Sequence, residues 1–453
     1  MNPRRYQTAL IYEVSKLYAN GKKRVVMQLP TGGGKTMIAK ELVTRTNAAK
    51  ILWIVPSEEI LLQTGAALDR ARVRHATLAA GRQIALAGVS CLLAMSQTLA
   101  RRLGSSMFDL WEPELIIVDE AHKLIEQHRK VLERWPCPVI GFSATPVRLD
   151  GKPLAKLWPV LLCGPSIASL QRQKYLVPCR TINAPMPDLS MVKKVRGDFD
   201  AGQLDAAYCG DNVAEQAALW WKKCAKGKRT IAFTPGITSS MRFSAAYKAI
   251  GIRCEHVDGD TPKTQRAAAL DRLRRHQIDV LFNCALFIEG LDLIEVECVQ
   301  LLTSTMSLSR FMQQCGRGLR PAPGKRELIV LDHGGNTERH DRVDADRDWY
   351  HGGVSTEAPK KTCLACGAII AAGANLCPAC FRPPAPVAPH SPLQEARSDR
   401  ATSKRTPPRP VPVWAKSVAD QWRACEHRRY ADALPLSEPE RYCRRILRRA
   451  LLG

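Results

Sequence analysis

Three stretches of this 453-residue chain hold residue types that handle a nucleoside triphosphate. Pro30-Thr31-Gly32-Gly33-Gly34-Lys35-Thr36 stands between the mostly apolar run Arg24-Val25-Val26-Met27-Gln28-Leu29 and a segment with Ile38 and Leu42 at helical spacing. Glycine lets backbone wrap phosphate oxygens, and a helix N-terminus adds its positive dipole end. Thr31, Gly32, Gly33 and Gly34 would line the phosphates of ATP. Lys35 would reach the β- and γ-phosphates, and the Thr36 hydroxyl would ligate Mg²⁺. Downstream, Asp119-Glu120-Ala121-His122 follows the apolar run Leu115-Ile116-Ile117-Val118. Asp119 is expected to hold Mg²⁺, and Glu120 to orient or deprotonate an attacking water, since phosphoryl transfer needs charge neutralisation and in-line placement. The third stretch, Gln313-Gln314-Cys315-Gly316-Arg317-Gly318-Leu319-Arg320, can supply cations to the same phosphates from a second region.

These groups must be positioned by elements the sequence also marks. Open α/β sheets bind ligands beyond the carboxyl ends of their strands, so the first two stretches belong on strand-to-helix turns. Thr230-Ile231-Ala232-Phe233, Val280-Leu281-Phe282 and Ile329-Val330-Leu331 suggest strands of a second α/β unit. A chain of this length is too long for one ordinary core. An arginine from one unit that meets charge on the other only when the cleft closes would convert hydrolysis into movement.

On these motifs the chain resembles superfamily 2 helicases of the DEAD/DEAH type, and among them RadD-like repair helicases and related bacteriophage helicases. The likeness covers residues 4 to 336. The phosphate loop has Leu29 where the strict G-x-x-x-x-G-K-[ST] pattern has glycine, and its P-T-G-x-G-K-T form is typical of that superfamily. The resemblance implies an α/β fold of two tandem RecA-like motor domains with parallel sheets. It implies that Gln7 reads the adenine edge, and that Glu59 to Gln63 and Ser96-Gln97-Thr98 track a strand. It assigns Ser143-Ala144-Thr145-Pro146, with His122 and Gln313, to coupling. His256 to Asp260 with Gln265-Arg266, and Asn283, Glu289, Gly290 and Asp292, match motifs of the second domain; Gly290 and Asp292 would approach the nucleotide. Ile288 stands where many relatives carry threonine. Arg317 and Arg320 would reach the γ-phosphate across the cleft.

The net charge of +24 points to polyanions. No apolar stretch approaches the ~20 residues of a membrane span, and the start lacks the apolar segment of a signal peptide, so a cytoplasmic protein without membrane contact is expected. Most of the sixteen cysteines are scattered singly, as reduced small hydrophobes are. Cys363-x-x-Cys366 and Cys377-x-x-Cys380 differ: two such knuckles hold four thiolates around a structural Zn²⁺, with an iron–sulfur centre as the alternative. The expected layout is a first motor domain over 1–165, a connecting segment over 166–215, a second motor domain over 216–345 and a zinc ribbon over 360–382. A proline-rich linker over 383–412 and a basic helical tail over 413–453 follow, the tail docking a repair or replication partner or nucleic acid. The implied activity is ATP-dependent movement along DNA, single-stranded or branched, in replication, recombination or repair. An RNA-remodelling ATPase, and an ATP-switched DNA-binding recruitment factor without unwinding, are the alternatives. The ribbon reading is tested by metal analysis of the purified chain: one zinc per chain, released in Cys363→Ser with basal ATP hydrolysis retained, is expected, whereas a metal-free protein or an iron–sulfur absorption band refutes it.

Overall fold

The computed structural model describes residues 3–371, apart from 46–49, 82–85, 87, 110, 149–153, 285, 288–292, 353, 356–359 and 364–365, together with 428–429. In chain order the first half comprises α1 (Arg5–Ala19), β1 (Arg24–Gln28), α2 (Lys35–Arg45), β2 (Ile51–Val55), α3 (Glu58–Arg70), β3 (His75–Leu78), β4 (Cys91–Met95), α4 (Ser96–Arg102), β5 (Leu115–Val118), α5 (Ile125–Arg134), β6 (Val139–Ser143) and β7 (Val160–Cys163). Its strands form one parallel sheet ordered β7-β1-β6-β5-β2-β4-β3. Helices cover both faces, so the strands read as near-continuous apolar runs rather than alternating ones. Val25 and Met27 of β1 face one core with Leu10, Ile38 and Leu42, while Val26 faces the other with Ile116, Val118 and Trp158.

The second half comprises α6 (Ile167–Arg172), β8 (Cys179–Asn183), a short hairpin β9 (Lys194–Val195) and β10 (Asp198–Phe199), α7 (Ala201–Tyr208), α8 (Val213–Cys224), β11 (Thr230–Thr234), α9 (Ile237–Ala249), β12 (Cys254–Val257), α10 (Lys263–Arg274), β13 (Val280–Cys284), β14 (Cys298–Leu301), α11 (Leu308–Gly316), β15 (Leu328–Asp332) and α12 (Asn336–His340). Its parallel sheet is ordered β12-β13-β11-β14-β15-β8. The stretch 166–215, expected as a connecting segment, is thus built into the second unit: β8 pairs with β15, and Leu170, Leu176 and Val177 lie in the core under β11 and β14. Its apolar residues had no period long enough to show this beforehand. Among the described residues no helix is long and apolar enough to cross a membrane.

The first knuckle docks on the second sheet. Lys360–Thr362 and Ile369–Ala371 pair antiparallel around Cys363 and Cys366, and Gly367 turns the chain at φ +73°. The Gly367 carbonyl accepts from the Asn183 N–H at 2.8 Å, and Asn183 Nδ2 donates to Thr362 Oγ1 at 2.9 Å. Cys377 and Cys380, the linker, and all of the tail except Arg428–Arg429 lie outside the described residues. Arg428–Arg429 pairs parallel with β7 at the sheet edge.

Of three neighbouring strands, β1 and β6 end at the same level, Gln28 with Ser143, while β5 stops two residues earlier, Val118 level with Gly141. Gly141 permits this packing, because a Cβ there would stand 2.7 Å from both Ala121 and the Trp158 ring. Gly141→Ala should therefore destabilise the fold by about 1–3 kcal/mol through overpacking, measured as a lowered denaturation midpoint with unchanged denaturant slope; an unchanged midpoint would show that Trp158 yields freely.

Candidate nucleotide site at the cleft between the sheets

The turn after β1 is held from both sides. Leu29 N–H donates to the Ser143 carbonyl at 2.9 Å, and Gly33 N–H to that of Pro30 at 2.9 Å. Gly32 and Gly34 adopt φ of +80° and +82°, a region that side chains disfavour. The Gly33 carbonyl accepts from the Tyr6 hydroxyl at 2.7 Å and from Gln7 Nε2 at 3.3 Å. Gln7 is buried, and its Oε1 accepts from the Arg4 N–H at 2.8 Å. Both ends of the amide expected at adenine are therefore engaged with the protein here. The ring of Tyr6 lies against Tyr175 of the second half, with centroids 5.9 Å apart, and the Arg4 guanidinium covers Tyr175 at 4.2 Å. This aromatic step between the halves was not anticipated; only the expectation for the neighbouring Gln7 pointed near it.

Lys35 opens α2, and its Nζ lies 3.2 Å from Glu120 Oε1. Thr36 is exposed in the first turn of α2. Glu120 has a φ of +48° and Leu124 one of +47°, so the chain leaves β5 through two left-handed residues. Burial pushes the Asp119 carboxyl up to about 6, only partly offset by Lys35. Burial acts on Glu120 too, but Lys35, His122 and Lys123 outweigh it and hold this carboxyl down at about 2. Glu120 Oε2 is buried and makes no hydrogen bond. A buried acid beside an ionised one, next to a lysine and a glycine turn, suits a bound cation and a polarised water: a divalent ion would favour ionised Asp119.

A polar chain leads across the cleft. Ser143 Oγ lies 2.9 Å from His122 Nδ1 and accepts from the Thr145 N–H at 3.1 Å. His122 Nε2 lies 3.1 Å from Ser309 Oγ of α11. Burial holds His122 neutral, with a pKa down at about 4. With the Ser143 proton given to Nδ1, Nε2–H donates to Ser309. Ser309 was missed in the sequence because serine near a helix start reads as a cap.

At its other end α11 presses on the glycine turn. A Cβ on Gly316 would meet the Thr31 side chain at 2.5–2.8 Å, and a Cβ on Gly32 would stand 2.9 Å from Leu176 and 3.2 Å from Arg320 Cγ. Arg317 caps α11 and lies close enough to Lys123 to help lower its pKa, after burial and with Arg310. Gln313 is buried, with its Nε2 lacking a hydrogen bond. The structure thus brings Lys35, Asp119, Glu120, His122, Ser143, Thr145, Arg317 and Arg320 to one cleft, with Gln313 on α11, which faces it. Lys325 fixes the arginine loop: its Nζ donates to the carbonyls of Arg320 at 2.9 Å and Ile294 at 3.0 Å. Asn283 serves the second sheet, donating to the Ala232 carbonyl at 3.0 Å. Glu289, Gly290 and Asp292 lie outside the described residues. The same holds for Cys377 and Cys380, and among the described residues no cluster of metal ligands is present.

Two protein families match the chain. The family described as "Type III restriction enzyme, res subunit" matches residues 1–148, and "Helicase conserved C-terminal domain" matches residues 213–322. The chain is similar to a "51.5 kDa protein" of a Lactococcus phage, 26% identical over 78% of this chain and 77% of the relative. It is 28% identical to the Saccharomyces cerevisiae protein named "Putative ATP-dependent helicase IRC3", over 73% of this chain and 51% of that one, so it spans about half of that relative. In fold it is similar to the DNA-bound ATP-dependent restriction-modification enzyme LlaBIII, with a TM-score of 0.57 and 16% identity over 74% of this chain and 28% of that one. Gly316→Ala tests the cleft. The fold should survive, because the added methyl meets only the facing half, while ATP turnover should fall at least tenfold as arginines are held off the glycine turn. Wild-type turnover in this variant would show that the contact between Gly316 and Thr31 does not occur during hydrolysis.

Proposed function

We propose that the chain, matched on both sides of its cleft, is a superfamily 2 helicase-type protein that hydrolyses ATP between the two sheets to move along or remodel DNA. The observation that carries the reading is the approach of α11 to the glycine turn, which sets Arg320 beside Gly32. Lys35 and the N–H groups of residues 32 to 36 would bind the phosphates; Thr36 and Asp119 would hold Mg²⁺, which neutralises phosphate charge. Incoming phosphates compete with Glu120 for Lys35. Glu120, low in pKa and with Oε2 lacking a hydrogen bond, then orients or deprotonates the attacking water. Arg317 and Arg320 stabilise charge that grows in the transition state. The proton shared along His122, Ser143 and Ser309 reports the state of Glu120 to α11.

The excess of basic residues suits either polyanion; DNA is preferred to RNA because of the RadD-like motif likeness and because the structurally similar LlaBIII was solved bound to DNA. Motif likeness supports a place beside RadD-like repair and bacteriophage helicases, and the match to a phage protein is consistent with the second; replication, recombination or repair within the cytoplasm belongs to the same proposal. Zn²⁺ on the two knuckles belongs to the same proposal, supported by the turn at Gly367 and the buried Cys363. The tail would serve a protein partner or DNA.

The test is ATP turnover with single-stranded, duplex and branched DNA and with RNA, beside strand displacement. DNA should stimulate turnover in the wild type. Glu120→Gln should bind ATP yet turn over at least a hundredfold more slowly, whereas Lys35→Ala should lose ATP binding. Stimulation by RNA alone would overturn the DNA reading, and stimulation without displacement would favour the switch or a translocase. Wild-type turnover in Glu120→Gln would remove that residue from the chemistry.

A further inference from the structure

Between β8 and α7 the chain makes a detour that no motif accounts for: Met191-Val192-Lys193-Lys194-Val195-Arg196-Gly197-Asp198-Phe199. Its strands β9 and β10 pair around a two-residue turn in which Arg196 and Gly197 have φ of +51° and +86°. Positive φ at both central residues is the tight hairpin turn whose twist matches paired strands. Lys193, Lys194 and Arg196 are exposed, and so are two apolar side chains beside them, Met191 at 87% and Val195 at 48%.

The fourth charge of the hairpin points inward. Asp198 accepts from Thr305 Oγ1 and from the Met306 N–H, each at 2.7 Å, and pairs with Arg310 at 3.6 Å. Phe199 lies under the Arg339 guanidinium at 5.3 Å, and Lys193 N–H donates to Gln203 Oε1 at 2.8 Å. The root is therefore fixed to the segment between β14 and α11, whose far end touches the glycine turn, while the tip keeps Lys193, Arg196 and two apolar groups in solvent and the exposed Lys194 ammonium over the Phe199 ring at 5.9 Å. A solvated loop needs neither exposed Met and Val nor a partly buried carboxylate brace. Cations spaced along an extended backbone, with apolar groups between them, match phosphates spaced along a strand with sugars and bases between.

We infer that this hairpin is a nucleic-acid contact of the second motor domain: Lys193, Lys194 and Arg196 meet backbone phosphates, and Met191 and Val195 lie against the sugars or bases. The inference rests on the nucleic-acid motor reading above, and its test separates the two. The variant is Lys193→Gln, Lys194→Gln, Arg196→Asn in the full chain; asparagine tolerates the left-handed turn position. Binding of a fluorescein-labelled oligothymidylate is measured by anisotropy across salt, beside ATP turnover.

With about 0.7 lost in log–log salt slope per single-strand phosphate contact, the variant's slope should be shallower by about 2. Its half-stimulating DNA concentration should rise several-fold, with basal turnover unchanged. Equal affinity and slope in variant and wild type overturn the hairpin assignment even if DNA stimulates the wild type. Wild-type binding that weakens in the variant supports the hairpin even if DNA leaves turnover unstimulated, and then the motor reading fails instead. A wild type that does not bind the oligonucleotide overturns both.

Discussion

The close approach of α11 to the glycine turn is the constraint on which the rest depends. Two parallel sheets, each with its own two-sided core, could exist as independent bodies. They share a site only because Gly316 has no side chain where Thr31 stands and Gly32 has none where Leu176 and Arg320 stand. At both points backbone must come nearer than any Cβ allows. The aromatic step of Tyr6 against Tyr175 and the hydrogen bond from His122 to Ser309 lie on the same seam. Between them they set the distance at which an arginine of one half can act on the other.

Electrostatics then distinguish two neighbouring carboxyls. Asp119 and Glu120 are both buried, and both lose solvation of their charged forms. Glu120 alone makes a direct contact with Lys35, and its pKa falls while that of Asp119 rises. The protein thereby keeps Glu120 ionised beside Lys35 and leaves Asp119 costly to ionise until a cation compensates it. Divergent acidities in adjacent groups are a feature of sites that move protons. They also make the ion pair of Lys35 and Glu120 a resting contact that phosphate oxygens can replace.

The same seam links chemistry to the far side of the second sheet. From Glu120 the path passes through neutral His122 to Ser309, along α11 to Arg317 in one direction, and to Thr305, Met306 and Asp198 in the other. It consists of a 3.4 Å contact between Glu120 and His122, hydrogen bonds and one helix, a contiguous set of contacts between the two ends.

The sequence by itself determined the parts of this site and their order. Glycines before Lys35, acids after an apolar strand and a glycine–arginine stretch far downstream are local patterns, each readable because strand and helix periodicity flank it. It also marked β1, β5, β11, β13 and β15, whose apolar runs reflect burial on both faces. Tertiary structure alone decided which strands are neighbours: β6 lies between β1 and β5, so the strand that ends at Ser143 separates the two strands whose ends lead to Lys35 and Glu120. It alone placed β8 in the second sheet, engaged Gln7 with the glycine turn and brought Ser309 to His122. These are contacts between residues tens to hundreds of positions apart. A periodic pattern records which face of an element is buried, but not which distant element buries it, so proximity of this kind is set by packing.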